Sequence, residues 1–455
     1  MIPEPEISAQ LLEREVIRPG ICVGCGACVA LAPQGQARMV ATESGVEPEF
    51  SHGTRLPALA WTACPGKGID YPSLYLSHFG SLPADWRVGH VDRLWTGHSA
   101  DPVIRRTGAS GGVTSAVLIH LLETGRIDAA ILAKQGSPTP ELASWFIART
   151  RAEILSCTQS VYVPVSMLDC LPHLEPGKKY AITLVPEQSA SLRVLQHAGH
   201  PPANQIEHVL GPYTGTALDP RAIRSLLRAN KIANDDPITS LKWRAGEWPG
   251  YLEILTASGR EIRSKKVYYN FLIPFYVTQT SLQSMDFANE FTDLSVGDAW
   301  SPKFESLGQG FSVIASRSPK MTAILEEMAA SNLIELTQAD VLEASAMHGH
   351  MIDFKKRGGY LRNRWRVMTG RAAPDYGLTP VGTGVSRILV EIVISTIFTV
   401  CRTSLARWVM EHIPEKILGP LFNNLRLVWK NASKPAKRKG LKDLTMDTHT
   451  PDWAE

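Results

Sequence analysis

The chain has 455 residues, and 47 Lys and Arg against 44 Asp and Glu leave a net charge of only +3. Hydrophobic residues make up 44% of the sequence and charged residues 20%, with a mean hydropathy of -0.07. These values exclude a disordered chain and a polytopic membrane protein, and the length suits two or three domains that each bury a core.

The N-terminal residues, MIPEPEISAQLLEREV, lack the basic start and apolar core of a secretory signal. Seven cysteines, three of them packed between Cys22 and Cys28, do not predict a disulfide framework in a chain of this length. Metal binding in a reducing compartment explains them better, so we expect a cytoplasmic protein. Residues 1–85 are rich in Gly, Pro and Cys, and we expect them to fold around a metal cluster as a first domain.

The motif GICVGCGACVALAP contains three cysteines with the CxxCxxC spacing of a bacterial ferredoxin: Cys22, Cys25 and Cys28. Ala32 stands where the fourth cysteine is expected, but in two-cluster ferredoxins that cysteine ligates the other cluster. The first cluster instead needs a Cys-Pro from elsewhere in the chain. Cys64 and Pro65 supply it after 35 intervening residues.

The ferredoxin spacing counted back from Cys64 meets Ala60, Pro57 and Thr54, so no second cluster is predicted. The sequence predicts half a ferredoxin, in which four thiolates hold a single [4Fe-4S] cluster. A structural zinc site also accepts four thiolates and remains an alternative, although zinc sites usually pair two separate CxxC units. The remaining cysteines are expected to be buried small hydrophobic residues: Cys157, Cys170 and Cys401.

Residues 86–375 alternate strand-like apolar runs with amphipathic stretches, which predicts a second domain with an α/β core. SAVLIHLLETG, 115–125, predicts a helix that ends at Gly125, and AAILAK (129–134) and KYAITLV (179–185) predict strands. YLEILTASGREIRS, 251–264, predicts a β-hairpin inserted in this domain. RAGEWPGY, 244–251, is interpreted as the turn that enters the hairpin.

The glycine loop RRTGASGGVTS precedes the predicted helix. Its small residues allow close backbone approach, and the free N–H groups of a helix N-terminus attract an anion such as a phosphate. A tight turn with Ser110 or Thr114 as the N-cap explains the loop equally well. The neighbouring cluster favours the phosphate interpretation, because flavin nucleotides convert between one-electron and two-electron chemistry.

The acidic stretch DFANEFTDLSVGDAW, 286–300, places Asn289, Asp293 and Asp298 near a predicted buried strand that ends at Gly297. Polar residues at the carboxyl end of a strand often meet a ligand in α/β folds. A capped loop without a ligand is the alternative.

Residues 376–455 are predicted to be a helical extension with a basic tail. The apolar segment 388–401 is shorter than the about 20 residues that span a bilayer as a helix. One interpretation of 388–442 is peripheral contact with an anionic membrane, since two tryptophans and a lysine cluster accompany the apolar segment. The other is a helix packed on the core and followed by a solvated tail. So short a basic run does not predict nucleic-acid binding.

Five stretches together resemble the coenzyme F(420) hydrogenase/dehydrogenase beta-subunit family of iron–sulfur flavoproteins. They occur in the family's order over about residues 15–375: GICVGCGAC with the later CP, GASGGVTSAVLIHLLETGRIDAAI, SVYVPVSMLDCL, GEWPGY and FANEFTDLSVGDAW. The resemblance implies a FAD-binding α/β core, a [4Fe-4S] cluster on the N-terminal segment, and electron transfer between the cluster, the flavin and a second redox substrate.

The resemblance also assigns the flavin contacts to the glycine loop and the acidic stretch: Ser110, Gly111, Gly112, Thr114, Asn289 and Asp298. Family members often have a cysteine where this chain has Glu187 and another near the position of Tyr213. They often carry further cysteines just before the acidic stretch, where this chain has none, so any second cluster there is expected to be lost.

The leading interpretation is an oxidoreductase whose second substrate is the deazaflavin coenzyme F(420) or a similar molecule, with ferredoxin, that coenzyme or a partner subunit as redox partner. An alternative is a ferredoxin-dependent flavoprotein reductase of a pigment-like or lipid-linked substrate. A third is a non-catalytic electron-transfer or scaffold subunit. The candidate proton donors are Asp298 and His120, although His120 lies in an apolar helical run typical of a core.

Overall fold

The computed structural model describes residues 6–233, 235–265 and 272–454. They form a mixed α/β fold around one eight-stranded sheet, with an apolar core on each face of that sheet. Within the described ranges, one three-stranded and three two-stranded sheets accompany it. The predicted α/β class is therefore confirmed at this level.

The N-terminal region consists of short elements around the first four cysteines. They are β1 (Glu6–Ser8), α1 (Ala9–Leu12), a π-helical turn (Glu13–Ile17), α2 (Ala27–Ala30), β2 (Ala37–Thr42), β3 (Gly45–Phe50), β4 (Arg55–Pro57), α3 (Leu59–Thr62) and α4 (Tyr71–Phe79). Strand β1 pairs with β4 and β2 with β3, both antiparallel. A small apolar cluster that includes Leu12, Val16 and Leu56 lies within this region, and α4 packs into a larger cluster through Tyr71 and Leu74.

The central region supplies the large sheet and the hairpin sheet. Its strands are β5 (Arg93–Ser99), β6 (Ala129–Gln135), β7 (Ala143–Ala148), β8 (Tyr180–Thr183), β9 (Ile206–Pro212), β10 (Ile238–Ala245), β11 (Tyr251–Thr256), β12 (Glu261–Lys265), β13 (Leu294–Asp298), β14 (Ser312–Ser316) and β15 (Ile334–Gln338). The predicted strands and hairpin are confirmed, and β10 adds a third strand to the hairpin through antiparallel pairing with β11.

The helices of this region connect the strands. They are α5 (Pro102–Thr107), α6 (Val113–Glu123), α7 (Arg151–Ser156), a 3-10 turn (Leu168–His173), α8 (Pro186–His197), α9 (Pro201–Asn204), α10 (Arg221–Ala229), α11 (Ile273–Tyr276), α12 (Gln279–Gln283), α13 (Pro302–Glu305), α14 (Pro319–Ala330), α15 (Val341–Asp353), a π-helical turn (Phe354–Gly359) and α16 (Tyr360–Met368). The predicted helix before Gly125 is α6. Proline in the first turn of α5, α8 and α14 favours their starts.

The strand order of the large sheet is β15-β5-β14-β13-β9-β8-β6-β7. The four strands β13, β9, β8 and β6 are mutually parallel, and the outer ones are antiparallel. Residues of β6 alternate between the two cores, with Ile131 on one face and Leu132 on the other. Burial on both faces explains why this strand reads as an almost continuous apolar run.

The C-terminal region contains β16 (Leu378–Pro380), α17 (Val385–Cys401), α18 (Ser404–His412), α19 (Glu415–Arg438), β17 (Met446–Thr448) and a 3-10 turn (Asp452–Ala454). The predicted helices are present, and part of the basic tail predicted after them is itself helical. Helix α19 includes part of the lysine cluster, and the chain then returns as β17 to pair with β16. Burial of Leu441, Leu444 and Met446 beside Tyr376 holds the returning segment in place.

Candidate functional site

The four cysteines of the predicted cluster surround one small cavity. Cys22, Cys25 and Cys28 reach it from the loop before α2 and from α2 itself, and Cys64 reaches it from just beyond α3. The loop curls tightly at Gly26, which has a φ of +87°, and a Cβ there would lie 2.6 Å from the backbone nitrogen of Asp169. Glycine is therefore required at this position of the motif.

Backbone N–H groups point at the sulfurs around this cavity. The N–H of Gly24 donates to Cys22 Sγ at 3.4 Å. The backbone N–H of Ala27 donates a hydrogen bond to Cys25, and that of Val29 donates one to Cys28. The backbone N–H groups of Gly66 and Lys67 donate to Cys64. Such donors stabilise negative charge on sulfur, which is the arrangement that iron–sulfur sites use.

Burial raises the pKa of all four thiols, that of Cys22 to about 12. Removal of four protons is unfavourable here unless positive charge enters the cavity, so metal binding and thiol deprotonation are coupled. Across the described parts of the chain, no three His, Cys, Asp or Glu side chains converge closely enough to hold a single metal ion. The four thiols instead line a shared cavity.

The other cysteines lie apart from this cavity. Cys170 is fully buried, as predicted, whereas Cys157 and Cys401 are half-buried. All seven cysteines are free thiols.

A second, much larger cavity opens at the carboxyl ends of the parallel strands. It is a cleft of about 1690 Å³, lined at the ends of β6, β8, β9 and β13 by residues that include Ala133, Thr183, Gly211 and Gly297. Ligands of open α/β sheets bind at this end of the strands. The central sheet therefore places the cleft where a cofactor is expected.

The glycine loop forms one wall of the cleft. Ser110, Gly112 and Thr114 line it, whereas Gly111 packs underneath, where its N–H donates to Ser312 Oγ at 3.0 Å and its carbonyl accepts from Ser99 N–H at 2.7 Å. Gly112 is the N-cap of α6 and has no side chain to satisfy the first N–H groups of this 11-residue helix. These N–H groups remain available to an anion.

The three polar residues of the acidic stretch have different places. Asp293 lies outside the cleft lining, where its carboxylate accepts from Val209 N–H at 2.7 Å and pairs with Arg193 at 3.0 Å. Asp298 lines the cleft, and its carboxylate accepts hydrogen bonds from the Arg244 guanidinium at 3.0 to 3.2 Å and from Trp248 Nε1 at 3.0 Å. This contact fixes the Glu247–Gly250 turn over the cleft. The ring centroids of Trp248 and Trp300 lie 4.8 Å apart there. The turn thus forms part of the cleft wall as well as the entry to the hairpin.

Asn289 lies beneath the cleft and is fully buried, with a φ of +57°. Its amide donates to the carbonyl of Leu184 at 2.7 Å and to that of Pro212 at 3.3 Å, and its oxygen accepts from Ser189. It therefore ties together the carboxyl ends of β8 and β9. The structure brings Ser110, Gly112, Thr114 and Asp298 to the cleft surface but places Gly111 and Asn289 behind it.

Besides Arg426 Nε, three polar side chains in the cleft wall have a buried atom without a hydrogen-bond partner. These atoms are Tyr213 Oη, Ser301 Oγ and His348 Nε2. The His348 ring is hydrogen-bonded to the backbone of Asp298, and burial lowers its pKa to about 4, so the ring is neutral at pH 7. Buried polar atoms normally find partners, and an unpartnered set in a cleft indicates a place for a polar ligand.

Basic side chains form another part of the cleft wall. Five of them come from α19: Arg426, Lys430, Lys434, Lys437 and Arg438. Lys355, from the π-helical turn after α15, is buried at the cleft, and its Nζ donates to the carbonyl of Ser281 at 2.9 Å. Burial lowers the pKa of Lys355 to about 8.

Val23 lines both the four-cysteine cavity and the cleft. It stands between two of the cysteines in the CxxCxxC motif. The backbone N–H of Leu168 donates to the carbonyl of Cys25 at 2.8 Å, and Ser191 donates to the carbonyl of Ala63 at 2.7 Å. These contacts hold the cysteine segment against the 3-10 turn and α8, and Val23 is a lining residue that the two cavities share.

Sequence reasoning missed several residues of the cleft. Arg244 and Trp248 lie in a stretch interpreted only as a turn, and His348 belongs to an MHGHM run whose small and polar residues in an apolar helix were the available signal. Glu187 and Tyr213, at or near positions where the family often has cysteine, also line the cleft. His120 lies elsewhere, with its Nε2 3.2 Å from Glu327 Oε1 on α14.

A solved structure contains a chain that is similar to part of this one. A chain of the F420-reducing [NiFe] hydrogenase complex from Methanosarcina barkeri superposes with a TM-score of 0.49 and 18% identity, over 64% of this chain and 97% of that chain. No curated protein matches.

Two family models match the central region. The model for the N-terminal part of the coenzyme F420 hydrogenase/dehydrogenase beta subunit matches residues 94–172, and the model for its C-terminal part matches residues 177–341. Together they cover more than half of the chain and leave the cysteine segment and the C-terminal helices outside. The chain belongs to the coenzyme F420 hydrogenase/dehydrogenase beta-subunit family and has the electron-transferring oxidoreductase role of that family.

Proposed function

We propose that this chain is an iron–sulfur flavoprotein oxidoreductase that moves electrons between a [4Fe-4S] cluster, FAD and a second redox substrate. The observation that carries the proposal is Val23, which lines the four-cysteine cavity on one side and the cleft on the other. A redox centre in each cavity would lie within a short electron-transfer distance of the other. The expected domains, 1–85 for the cluster, 86–375 for the flavin and 376–455 for the extension, remain part of this proposal.

The four-cysteine cavity fits an iron–sulfur cluster. Its donor set is four thiols, and backbone N–H groups serve each sulfur. The residues that would hold the cluster are Cys22, Cys25, Cys28 and Cys64, and a bound cluster would supply one-electron transfer. The free thiols accord with a reducing cytoplasm.

The cleft fits a dinucleotide flavin. Its volume accommodates a large cofactor, and the N-terminus of α6 offers free N–H groups to a pyrophosphate. Ser110, Gly112 and Thr114 would bind at that end, while Gly111 and Asn289 position the backbone behind it. Bound FAD would supply the conversion between one-electron and two-electron chemistry.

The basic wall of the cleft favours a second substrate that carries negative charge. Lys430 and Lys434 are exposed at the cleft, and Arg426 has a buried Nε without a hydrogen-bond partner. A deazaflavin coenzyme with phosphate groups meets this requirement, and so does another anionic redox molecule. His348 and Tyr213, whose unpartnered atoms lie in the wall, would orient the reacting ring.

The test is anaerobic purification of the full chain followed by measurement of iron, sulfide, zinc and flavin. We expect about four irons and one FAD per chain. The holoprotein is then mixed with reduced deazaflavin coenzyme or with reduced ferredoxin, and bleaching of the flavin absorbance is followed. Bleaching by the coenzyme supports the leading proposal, and bleaching by ferredoxin alone supports the reductase alternative.

Other outcomes of the same measurement contradict the proposal. Zinc in place of iron, together with cleanly folded protein that lacks flavin, would leave a scaffold subunit without redox chemistry. Iron without flavin would restrict the chain to one-electron transfer and remove the cleft from the reaction.

A further inference from the structure

Helix α17 has its polar side inward and its apolar side outward. Arg387 and Glu391 are 1% and 0% exposed, whereas Val385, Leu389 and Val400 are 73%, 58% and 56% exposed. A surface helix of a globular protein normally shows the opposite arrangement. The outer face of this helix is therefore suited to contact with an apolar environment rather than with water.

The inward polar side is held by a buried ionic network. Arg387 pairs with Asp353 at 2.9 Å and with Glu391 at 2.8 Å, and Arg362 pairs with Glu391 at 2.6 Å. The network fixes the rotation of α17 about its axis, because a turn of the helix would leave buried charges unpaired. The apolar residues cannot rotate inward to escape water.

Helices α18 and α19 extend the apolar surface. Among the described residues, fourteen of the 23 exposed large hydrophobic side chains lie between Val385 and Val428. Leu405 and Trp408 are exposed on α18, and Ile417, Leu421 and Leu425 follow one side of α19 at helical spacing. Monomeric proteins rarely expose contiguous apolar patches larger than a few hundred Å², and larger ones mark interaction sites.

The charge around this surface is positive. Residues 385–438 contain nine Lys and Arg against three Asp and Glu. Arg387 and Glu391 are both buried in the ionic network, and Glu411 pairs with Arg228, which leaves eight basic residues and one acidic residue of this segment. Five of the eight basic residues are those of α19 that line the cleft. Apolar side chains flanked by lysine and arginine match an anionic bilayer, in which acyl chains lie beneath negatively charged headgroups.

We propose that the outer face of α17, α18 and α19 docks on the surface of a bilayer that contains anionic phospholipid. No one helix in the described ranges is long and apolar enough to cross a membrane; α17 and α18 reach that length and composition only as a pair, which is bent by 75°. Trp408 occupies the middle helix of the surface, and tryptophan is favoured at the headgroup level.

Docking also has a consequence for the cleft. The basic residues of α19 that line the cleft stand on the same helix as the apolar stripe through Leu421 and Leu425. A docked molecule therefore has its basic cleft wall close to the headgroups. This proposal depends on the C-terminal helices alone and stands independently of the cofactors.

The experiment is co-sedimentation of the full-length protein with vesicles of phosphatidylcholine alone and with vesicles that also contain phosphatidylglycerol. We expect binding to the anionic vesicles, and weaker binding as the salt concentration rises. Val393 and Ile397 are exposed on α17 as Leu389 is. The affinity of the double variant Leu389→Glu, Ile397→Glu for the vesicles is expected to fall about tenfold or more, because two apolar anchors are lost. The matched control is Leu76→Glu, since Leu76 is similarly exposed but lies on α4.

The outcomes separate this proposal from its competitors. Equal binding by the double variant and the control, or equal binding to both kinds of vesicle, would overturn it. Loss of a dimer in the double variant, measured by light scattering, without a change in vesicle binding would assign the face to a second copy of the chain. Thermal unfolding of both variants checks that the exposed substitutions leave the fold intact, and Val393→Glu serves as a further variant if the double variant is unstable. Iron and flavin contents are measured on the same samples, so failure of docking is distinguishable from failure of the proposed function.

Discussion

The four-cysteine cavity takes its thiols from two short stretches of chain, whereas the cleft is lined by residues spread from Val23 to Arg438. In the cavity each sulfur is one of four equivalent donors, and the loss of one changes the whole set. In the cleft the glycine loop, the hairpin turn, α15 and α19 each provide part of the wall. We therefore expect a single substitution in the cavity to abolish its metal content, and a single substitution in the cleft to reduce cofactor binding only in part.

The largest expected effect is that of Cys64→Ser. Serine removes the one thiol that comes from outside the CxxCxxC motif, and we expect iron to fall from about four per chain to nearly none. Flavin should be largely retained, since Cys64 does not line the cleft. Chemical analysis of iron and flavin on the same sample measures both. Cys401→Ser is the control, because Cys401 is half-buried on α17 and remote from the motif. An equal loss of iron in this control would show that the cavity cysteines do not differ from the others.

The next effect is expected from Arg244→Ala in the cleft. It leaves the mostly buried Asp298 carboxylate without its guanidinium partner, at a cost of about 3 kcal/mol in the free energy of unfolding. The Glu247–Gly250 turn should loosen, and flavin content should fall while iron stays unchanged. Arg244→Lys keeps the positive charge but loses the two-pronged contact of the guanidinium. Its free energy of unfolding and its flavin content should therefore be intermediate between those of the wild type and the alanine variant. Urea unfolding with cofactor analysis tests the series, and an unchanged flavin content in Arg244→Ala would exclude the turn from the binding wall.

A smaller effect is expected from Gly111→Ala. The new Cβ would lie 2.7 Å from the Gly97 carbonyl oxygen and 2.9 Å from Ser312 Oγ, so the glycine loop must shift. We expect the free energy of unfolding to fall by about 2 kcal/mol and the flavin to be retained less tightly. Gly384→Ala is the matched control, because a Cβ at Gly384 meets no atom within 4 Å. Flavin release on gel filtration measures the effect, and equal retention by both variants would show that the loop backbone is not part of the flavin site.

The same contrast explains what the sequence could predict. The cysteine positions follow from spacing, because ligands two residues apart must converge whatever the rest of the chain does. The predicted strands and α6 follow from local periodicity, and the glycine loop from its composition. Each of these predictions depends on neighbours in the chain, and the structure brings Ser110, Gly112 and Thr114 to the cleft as the loop pattern indicated.

The parts that could not be predicted depend on distant segments. Asn289 looked like a ligand-facing residue, but its amide donates to carbonyls at the carboxyl ends of two separate strands, which only the sheet order reveals. Arg244 acquires its role from Asp298, 54 residues away. The return of β17 to β16 likewise depends on packing of Leu441 and Met446 in a core formed by remote residues. Local patterns carry no information on such partners.

The smallest expected effect is the pH dependence of stability due to His348 in the cleft wall. Burial lowers its pKa to about 4, against about 6.5 in the unfolded chain, so the unfolded state takes up a proton first as the pH falls. The contribution of neutral His348 to stability is complete above pH 6.5 and is lost progressively as the pH falls from 6.5 towards 4. We expect about 1 kcal/mol of this loss between pH 7 and pH 5.5.

Urea unfolding of the wild type and of His348→Gln at both pH values isolates the contribution of His348, because the other titrating groups are common to the two proteins. The four buried thiols do not titrate in this range, since their pKa values are raised, so a pH dependence that differs between the two proteins belongs to the cleft and not to the cavity. If the two proteins lose equal stability over this range, the unpartnered Nε2 is accessible to water and cannot serve as a neutral contact for a bound ring.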